Sequence, residues 1–280
     1  MEAELEVISK QLTQIAKNPH GTRADNWLHE LASPETGFIG YLLTNIDFDN
    51  YSPPIYITLI RQFVMLKPPG IFKEIKETKR IRKKMQRWMS NNEMSKAHSD
   101  MILWYLAMCQ DDKECFKIDD NIFSKIMDYT EIIEGDEQLN PCMSFIKNHI
   151  KSHLSVYLTH KNAILTTGLM LFMLNRSEEK EKLDYLTAVF WILQENFDLF
   201  YTNDLKSLAD ILYDMLSMHV KTYNFISLSV LLVLFSYEDF SLLNYKVQEF
   251  IELIREIEYE DSYASIKEML LEVLINLIGS

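Results

Sequence analysis

Two amphipathic segments joined by a short polar corner lie between residues 183 and 237, and no other stretch constrains the fold as strongly. In both segments apolar residues recur three and four positions apart, the pattern of a helix with one buried face. They are Leu183, Leu186, Phe190, Leu193 and Phe197, and then Leu208, Ile211, Leu212, Met215 and Leu216. Between them, Thr202, Asn203 and Asp204 carry side chains that accept hydrogen bonds at a helix N-terminus. The stretch predicts helix, capped corner and helix, the unit of a stacked helical array.

The rest of the chain also predicts an all-α fold. Helical periodicity recurs and strand-like alternation does not, and glycine and proline number only 7 each, which disfavours turn-rich sheets and glycine-loop nucleotide folds. Beyond Pro141 we predict helices at 141–158, 161–175, 180–198, 203–219, 222–235, 241–259 and 262–278. Residues 226–235 also fit a buried strand, but no partner strand is visible, so we predict a helix buried on most sides. A helix pair every 40 residues or so is typical of armadillo and HEAT-like solenoids. We therefore expect an armadillo/HEAT-like right-handed superhelix, with a compact multi-helix bundle as the alternative.

We predict a single helical domain over residues 1–280. A chain of this length with 48% hydrophobic residues can bury a large core. The best candidate for a loop between two lobes is Gly135, which has acidic neighbours. The corresponding lobes would be 1–135 and 136–280.

Signals for secretion, membrane insertion and nucleic-acid binding are weak. The first residues have the pattern of an amphipathic helix rather than a leader, and Cys109, Cys115 and Cys142 make no even disulfide framework. The longest uncharged run, 222–237, is shorter than the roughly 20 residues of a spanning helix. A net charge of −13 argues against general nucleic-acid binding. We expect a soluble cytoplasmic protein with no transmembrane segment.

Charge is unevenly spread along the chain, which favours protein partners with complementary surfaces. Residues 73–87 are strongly basic, whereas residues 249–261 are acidic. Helical spacing in the basic segment, with apolar Met85, Trp88 and Met89, predicts a solvated helix face packed on its other side. The alternative for this face is a binding surface for an acidic protein or an anionic membrane.

No arrangement of residues predicts catalysis or a cofactor. The sequence has no phosphate-cradling glycine loop, no Gly-x-Ser-x-Gly elbow and no visible cause for a reactive cysteine. His149 and His153 lie four apart on a predicted helix, and with Cys142 and His160 they could hold a metal. Because that spacing lacks the glutamate of the metalloprotease motif, we prefer two histidines on a solvent-facing surface. We expect no enzyme, no metal and no cofactor.

Two stretches resemble the armadillo-type domain of the WISH/DIP/SPIN family. The first is residues 164–172, which read Ile-Leu-Thr-Thr-Gly-Leu-Met-Leu-Phe, and the second begins with the corner motif, residues 200–205, and continues to Leu212. The corner motif consists of Phe200, Tyr201, Thr202, Asn203, Asp204 and Leu205. The pair Thr222 and Tyr223 is similar to the start of the family's next helix. The likeness covers about residues 160–255.

The resemblance implies a function in the actin cytoskeleton. Members of that family bind the actin-related protein 2/3 complex and activate it without a preformed filament, which nucleates linear actin filaments. The family domain clasps a long helix of one small subunit of the complex, so actin itself would be an indirect partner. The implied location is the cytoplasm, at cortical actin structures.

Within the corner motif we predict mainly structural roles. Thr202 or Asn203 would cap the helix, Asp204 would suit its positive N-terminal end, and Phe200 and Tyr201 would pack the corner. The polar side of the following helix then offers the candidate partner-binding residues, Lys206, Asp210, Tyr213 and Asp214. The alternative function is that of a generic armadillo or HEAT-like adaptor or scaffold with no role in actin assembly.

Overall fold

The computed structural model describes residues 118–279 apart from His219 and Tyr259, the helices Glu2–Lys17 and Lys79–Asn91, and scattered positions between these helices and residue 118. All regular secondary structure in these residues is helical, which confirms the all-α prediction. The chain forms two compact units, Met1–Phe145 and Ile146–Ser280. The predicted lobe boundary at residues 135 and 136 stays a prediction.

The first unit contains α1 (Glu2–Lys17), α2 (Lys79–Asn91), α3 (Asp120–Tyr129) and the start of α4 (Asp136–His149). A 3-10 turn, Thr130–Ile132, follows α3. Asp119 caps α3 because its carboxylate accepts a hydrogen bond from the Ile122 amide at 2.9 Å. The carbonyl at the end of α2, that of Ser90, accepts hydrogen bonds from Asn121 and Lys125 of α3.

The basic segment lies partly in α2. Met85, Trp88 and Met89 are buried, whereas Lys83 and Arg87 are exposed. Residues 73–78 of that segment lie outside the described residues. Where its side chains are described, the helix has the packed apolar side that its spacing predicts, and Arg87 on the basic side is solvated while Lys84 is half-buried.

The second unit continues α4 through a 3-10 turn, Ile150–His153, into α5 (Leu154–Thr159). It then contains α6 (Ala163–Arg176), α7 (Glu179–Glu195), α8 (Thr202–Ser217), α9 (Lys221–Ser236), the short α10 (Glu238–Ser241), α11 (Val247–Glu256) and α12 (Ala264–Gly279). A second 3-10 turn, Phe197–Leu199, separates α7 from α8. None of the described helices is both long and apolar enough to cross a membrane.

The core of the second unit is built around α9. Its residues Ile226, Leu228, Val230, Leu231 and Leu234 are buried, and it packs against α7, α8 and α12. The ambiguous stretch 226–235 is therefore a helix buried on most sides, as predicted. At the start of α9, the Tyr223 hydroxyl donates to the Glu179 carbonyl at 2.8 Å and ties the first turns of α9 and α7 together.

Two predicted helices were wrong in extent. The predicted helix 141–158 begins at Asp136 instead, contains Pro141 in its interior, and is interrupted by the 3-10 turn at Ile150–His153. The predicted helix 241–259 begins only at Val247, because the chain turns first. In that turn Asn244 and Lys246 have positive φ angles of 47° and 54°, which a right-handed helix excludes.

Candidate functional site

The corner motif opens α8, and its capping differs from the prediction. The helix begins at Thr202, so Tyr201 is the N-cap residue and Thr202 and Asn203 lie in the first turn. The capping side chain is that of Asp204, whose carboxylate accepts a hydrogen bond from the Tyr201 amide at 3.2 Å. The assignment of the cap to Thr202 or Asn203 was therefore wrong. Asp204 also sits where the helix dipole favours negative charge.

Two apolar residues of the motif pack the corner. Phe200 precedes the N-cap and Leu205 occupies the fourth helical position, which are the two positions of a hydrophobic staple. Both are buried and line the same cavity. Tyr201 does not pack the corner as predicted, since 66% of its surface is exposed. Its extended backbone instead turns the chain into the helix.

The corner also meets the end of α9 through a pair of stacked aromatic rings. Phe197, in the 3-10 turn before the corner, lies parallel to Tyr237 with ring centroids 4.0 Å apart and planes 5° apart. A cavity of about 250 Å³ opens beside them, lined also by Phe200, Leu205 and Phe240. The corner motif therefore forms one wall of a cavity whose other wall comes from α10.

Part of the polar side of α8 is covered by the turn that precedes α11. The Tyr245 hydroxyl donates to both carboxylate oxygens of Asp210, at 3.0 and 3.1 Å, and the Lys246 ammonium lies 2.7 Å from the same carboxylate. The hydrogen bond to Asp210 is the main cause that raises the pKa of Tyr245, and also the main cause that raises the pKa of Lys246. Asp210 therefore anchors the turn before α11.

The other candidate binding residues are also partly engaged. Tyr213 is half-buried and contacts Phe250 edge-on, with ring centroids 5.5 Å apart. The Lys206 ammonium lies 5.6 Å from the centroid of the Tyr245 ring. Of the four predicted residues only Asp214 is exposed. The four lie together on α8, but Lys206, Asp210 and Tyr213 contact residues 245 and 246, and only Asp214 is left exposed.

No protein-family model matches this chain, and no curated protein matches it. The resemblance to the WISH/DIP/SPIN family consequently rests on residues 164–172, residues 200–212 and the pair Thr222 and Tyr223.

The histidines that could have held a metal are separated by a break in the helix. His149 ends α4, and His153 lies in the 3-10 turn, where it is buried. The prediction that His153 faces solvent was therefore wrong. Within the described part of the chain no cluster of His, Cys, Asp and Glu side chains could hold a metal ion. Burial raises the pKa of the Cys142 thiol. The side chain therefore stays protonated, and a protonated thiol is unreactive.

A capping experiment tests the corner. We expect Asp204→Ala to lower the free energy of unfolding by about 1 kcal/mol, because the Tyr201 amide loses its acceptor and the N-terminal end of α8 loses a negative charge. Urea unfolding followed by circular dichroism would measure it. The double variant Thr202→Ala with Asn203→Ala is the matched control and should change stability by less, because it leaves the hydrogen bond from the Tyr201 amide to Asp204 in place. A larger loss of stability in the double variant than in Asp204→Ala would show that Thr202 or Asn203 caps the helix.

Proposed function

We propose that this chain binds the actin-related protein 2/3 complex and activates it without a preformed filament, so that linear actin filaments are nucleated. We further propose that its helices form an armadillo/HEAT-like right-handed superhelix, and that it acts in the cytoplasm at cortical actin. The observation that carries the proposal is the corner motif at the start of a helix packed among other helices, the setting in which the resembling family uses it.

Exposed apolar residues in the other resembling stretch support a protein-binding role. Ile164, Leu165 and Phe172 lie on α6 and are each 43–45% exposed. Positions 164, 168 and 172 are four apart, so they follow one side of the helix, and Gly168 between them leaves open space. Such an apolar strip is a contact surface of the kind that receives the apolar face of another helix. A long helix of a small subunit of the complex would fit it.

Activation would follow from differential binding. A scaffold that binds the filament-like arrangement of the two actin-related proteins more tightly than the inactive one shifts the population toward the former. Because a shift from 1:99 to 99:1 needs about a 10⁴-fold preference, the scaffold must hold its partner over a broad and rigid surface. The second unit, with its central buried α9, has a core suited to that rigidity.

The decisive assay is fluorescent actin polymerisation observed filament by filament. We expect the purified chain to shorten the lag only when the complex is present, to need no added filaments, and to yield mainly linear products. Leu165→Ala with Phe172→Ala should weaken binding to the complex about tenfold, because exposed apolar residues can serve as interface anchors. The matched control is Ile278→Ala, an exposed apolar residue on α12.

An unchanged lag at saturating protein, together with no binding to a matched complex, would refute the actin proposal. The function that would then remain is that of a helical adaptor for another protein. The exposed apolar residues of α6 favour that alternative as well, since they predict a protein partner without identifying it. Loss of binding in Ile278→Ala but not in the α6 variant would place the contact on α12.

A further inference from the structure

The cavity beside the corner motif has the size of a pocket for one side chain. Its volume of about 250 Å³ lies below the roughly 300 Å³ at which pockets for drug-sized ligands begin. The stacked rings of Phe197 and Tyr237 line it, and the buried Phe200 and Phe240 line it as well. An apolar or aromatic wall of this kind contacts the flat or methylene part of a ligand.

Two carboxylates give the cavity a negative charge. Asp198 and Asp239 both line it, and both are exposed to solvent. None of the residues that line the cavity, all of them in the described part of the chain, carries a positive charge. Asp239 accepts a hydrogen bond from the Tyr237 hydroxyl at 3.2 Å. A cation that enters the cavity would meet two carboxylates and no competing ammonium or guanidinium among the lining residues.

The pKa of Tyr237 reflects the negative charge of the cavity. Partial burial of its hydroxyl is the main cause that raises the pKa of Tyr237, and the charges of Asp239 and Asp198 raise it further. Both carboxylates therefore act on the same phenol, which lies against Phe197. The aromatic wall and the two charges belong to one site rather than to separate surfaces.

We propose that this cavity binds an arginine side chain of a partner protein. A guanidinium group is planar and can stack on an aromatic ring while its N–H groups donate to carboxylates. Lysine is a compact charge that is more strongly hydrated, so it gains less from the aromatic wall. The site is distinct from the apolar strip of α6 and from Asp210, and the inference does not depend on the identity of the partner.

The test uses three blocked pentapeptides with the sequence Gly-Ala-X-Ala-Gly, where X is arginine, citrulline or lysine. Citrulline keeps the length and planar end of arginine but has no charge. Titration into the isotope-labelled chain, followed by amide chemical shifts, would locate and measure binding. We expect the arginine peptide to bind at millimolar concentration and to shift amides of residues 197–205 and 237–243. The lysine peptide should bind more weakly than the arginine peptide, and the citrulline peptide should bind about tenfold more weakly than the arginine peptide.

Charge removal completes the test. Asp198→Asn with Asp239→Asn should weaken the arginine peptide about tenfold, since two exposed charge pairs are lost. The matched control is Glu268→Gln with Glu272→Gln, which removes two exposed carboxylates of α12 that do not line the cavity. Equal binding of arginine and citrulline peptides would overturn the proposal, even if the aspartate variant failed to fold. Shifts confined to other residues, or no binding at all, would also overturn it.

Discussion

Replacement of Phe250 by alanine should lower the free energy of unfolding by about 3–5 kcal/mol, the cost typical of a phenylalanine removed from a packed core. The side chain of Phe250 is fully buried on α11. It contacts Phe235 and Tyr213 edge-on, with ring centroids 5.5 Å away in each pair. Loss of the ring would leave a cavity where α8, α9 and α11 meet, and urea unfolding would report the change.

The matched control for this prediction is Phe225→Ala. Phe225 is also a phenylalanine in a helix of the second unit, but 52% of its surface is exposed. Its replacement should change stability by no more than about 0.5 kcal/mol, as is usual for surface positions. Similar losses for the two variants would mean that Phe250 does not pack as described.

The second large effect is a fall in stability at alkaline pH that is caused by Tyr157. Burial raises the pKa of Tyr157 to about 12, against about 10 in an unfolded chain. Between these values the unfolded phenol has lost its proton while the folded one keeps it. Unfolding therefore becomes more favourable as pH rises, and the stabilisation present below pH 10 falls by about 2–3 kcal/mol as pH passes through the folded pKa.

Two variants separate this effect from the titration of other groups. Tyr157→Phe should cost about 1 kcal/mol near neutral pH because the buried Thr167 hydroxyl loses its partner, which lies 2.8 Å away. Its stability should then decline less above pH 10, so that its curve crosses that of the unchanged chain. Thr167→Val removes the same hydrogen bond but keeps the buried phenol, and the alkaline fall should remain. Urea unfolding across this pH range would show whether the curves cross.

Helix existence was predictable wherever apolar periodicity was long and unbroken. The predicted helix 203–219 corresponds to α8 within about two residues, because its apolar stripe runs for four turns. The stretch 226–235 was ambiguous for a physical reason. It is apolar all round because it is packed on several sides, and such a run has no helical period to read.

Where the prediction failed, local backbone geometry had interrupted a continuous pattern. Residues 241–259 keep a helical pattern of apolar residues, yet Asn244 and Lys246 adopt left-handed backbone angles. Asparagine favours that region, so Asn244 was the one signal in the sequence, but the lysine gave none. The cap was missed for a similar reason, since several polar residues in a row can each serve and only the backbone path selects Asp204.

The contacts of the candidate site could be recognised only in the tertiary structure. Polar residues at 206, 210, 213 and 214 share one side of a helix, and the sequence correctly groups them. It does not reveal that Tyr245 and Lys246 fold onto Asp210, because those residues lie 35 and 36 positions later in the chain. The cavity was likewise missed, since Phe197 and Tyr237 belong to different turns and meet only after packing.

The contact at Asp210 makes the turn before α11 an intramolecular competitor. A partner that uses the carboxylate of Asp210 must first displace Tyr245 and Lys246. If the turn were open in about one molecule in ten, the measured affinity would be about tenfold weaker than that of the open form. Substitutions at Lys246 would then act with the opposite sign to those at an ordinary interface residue, because they would loosen the fold and strengthen the complex.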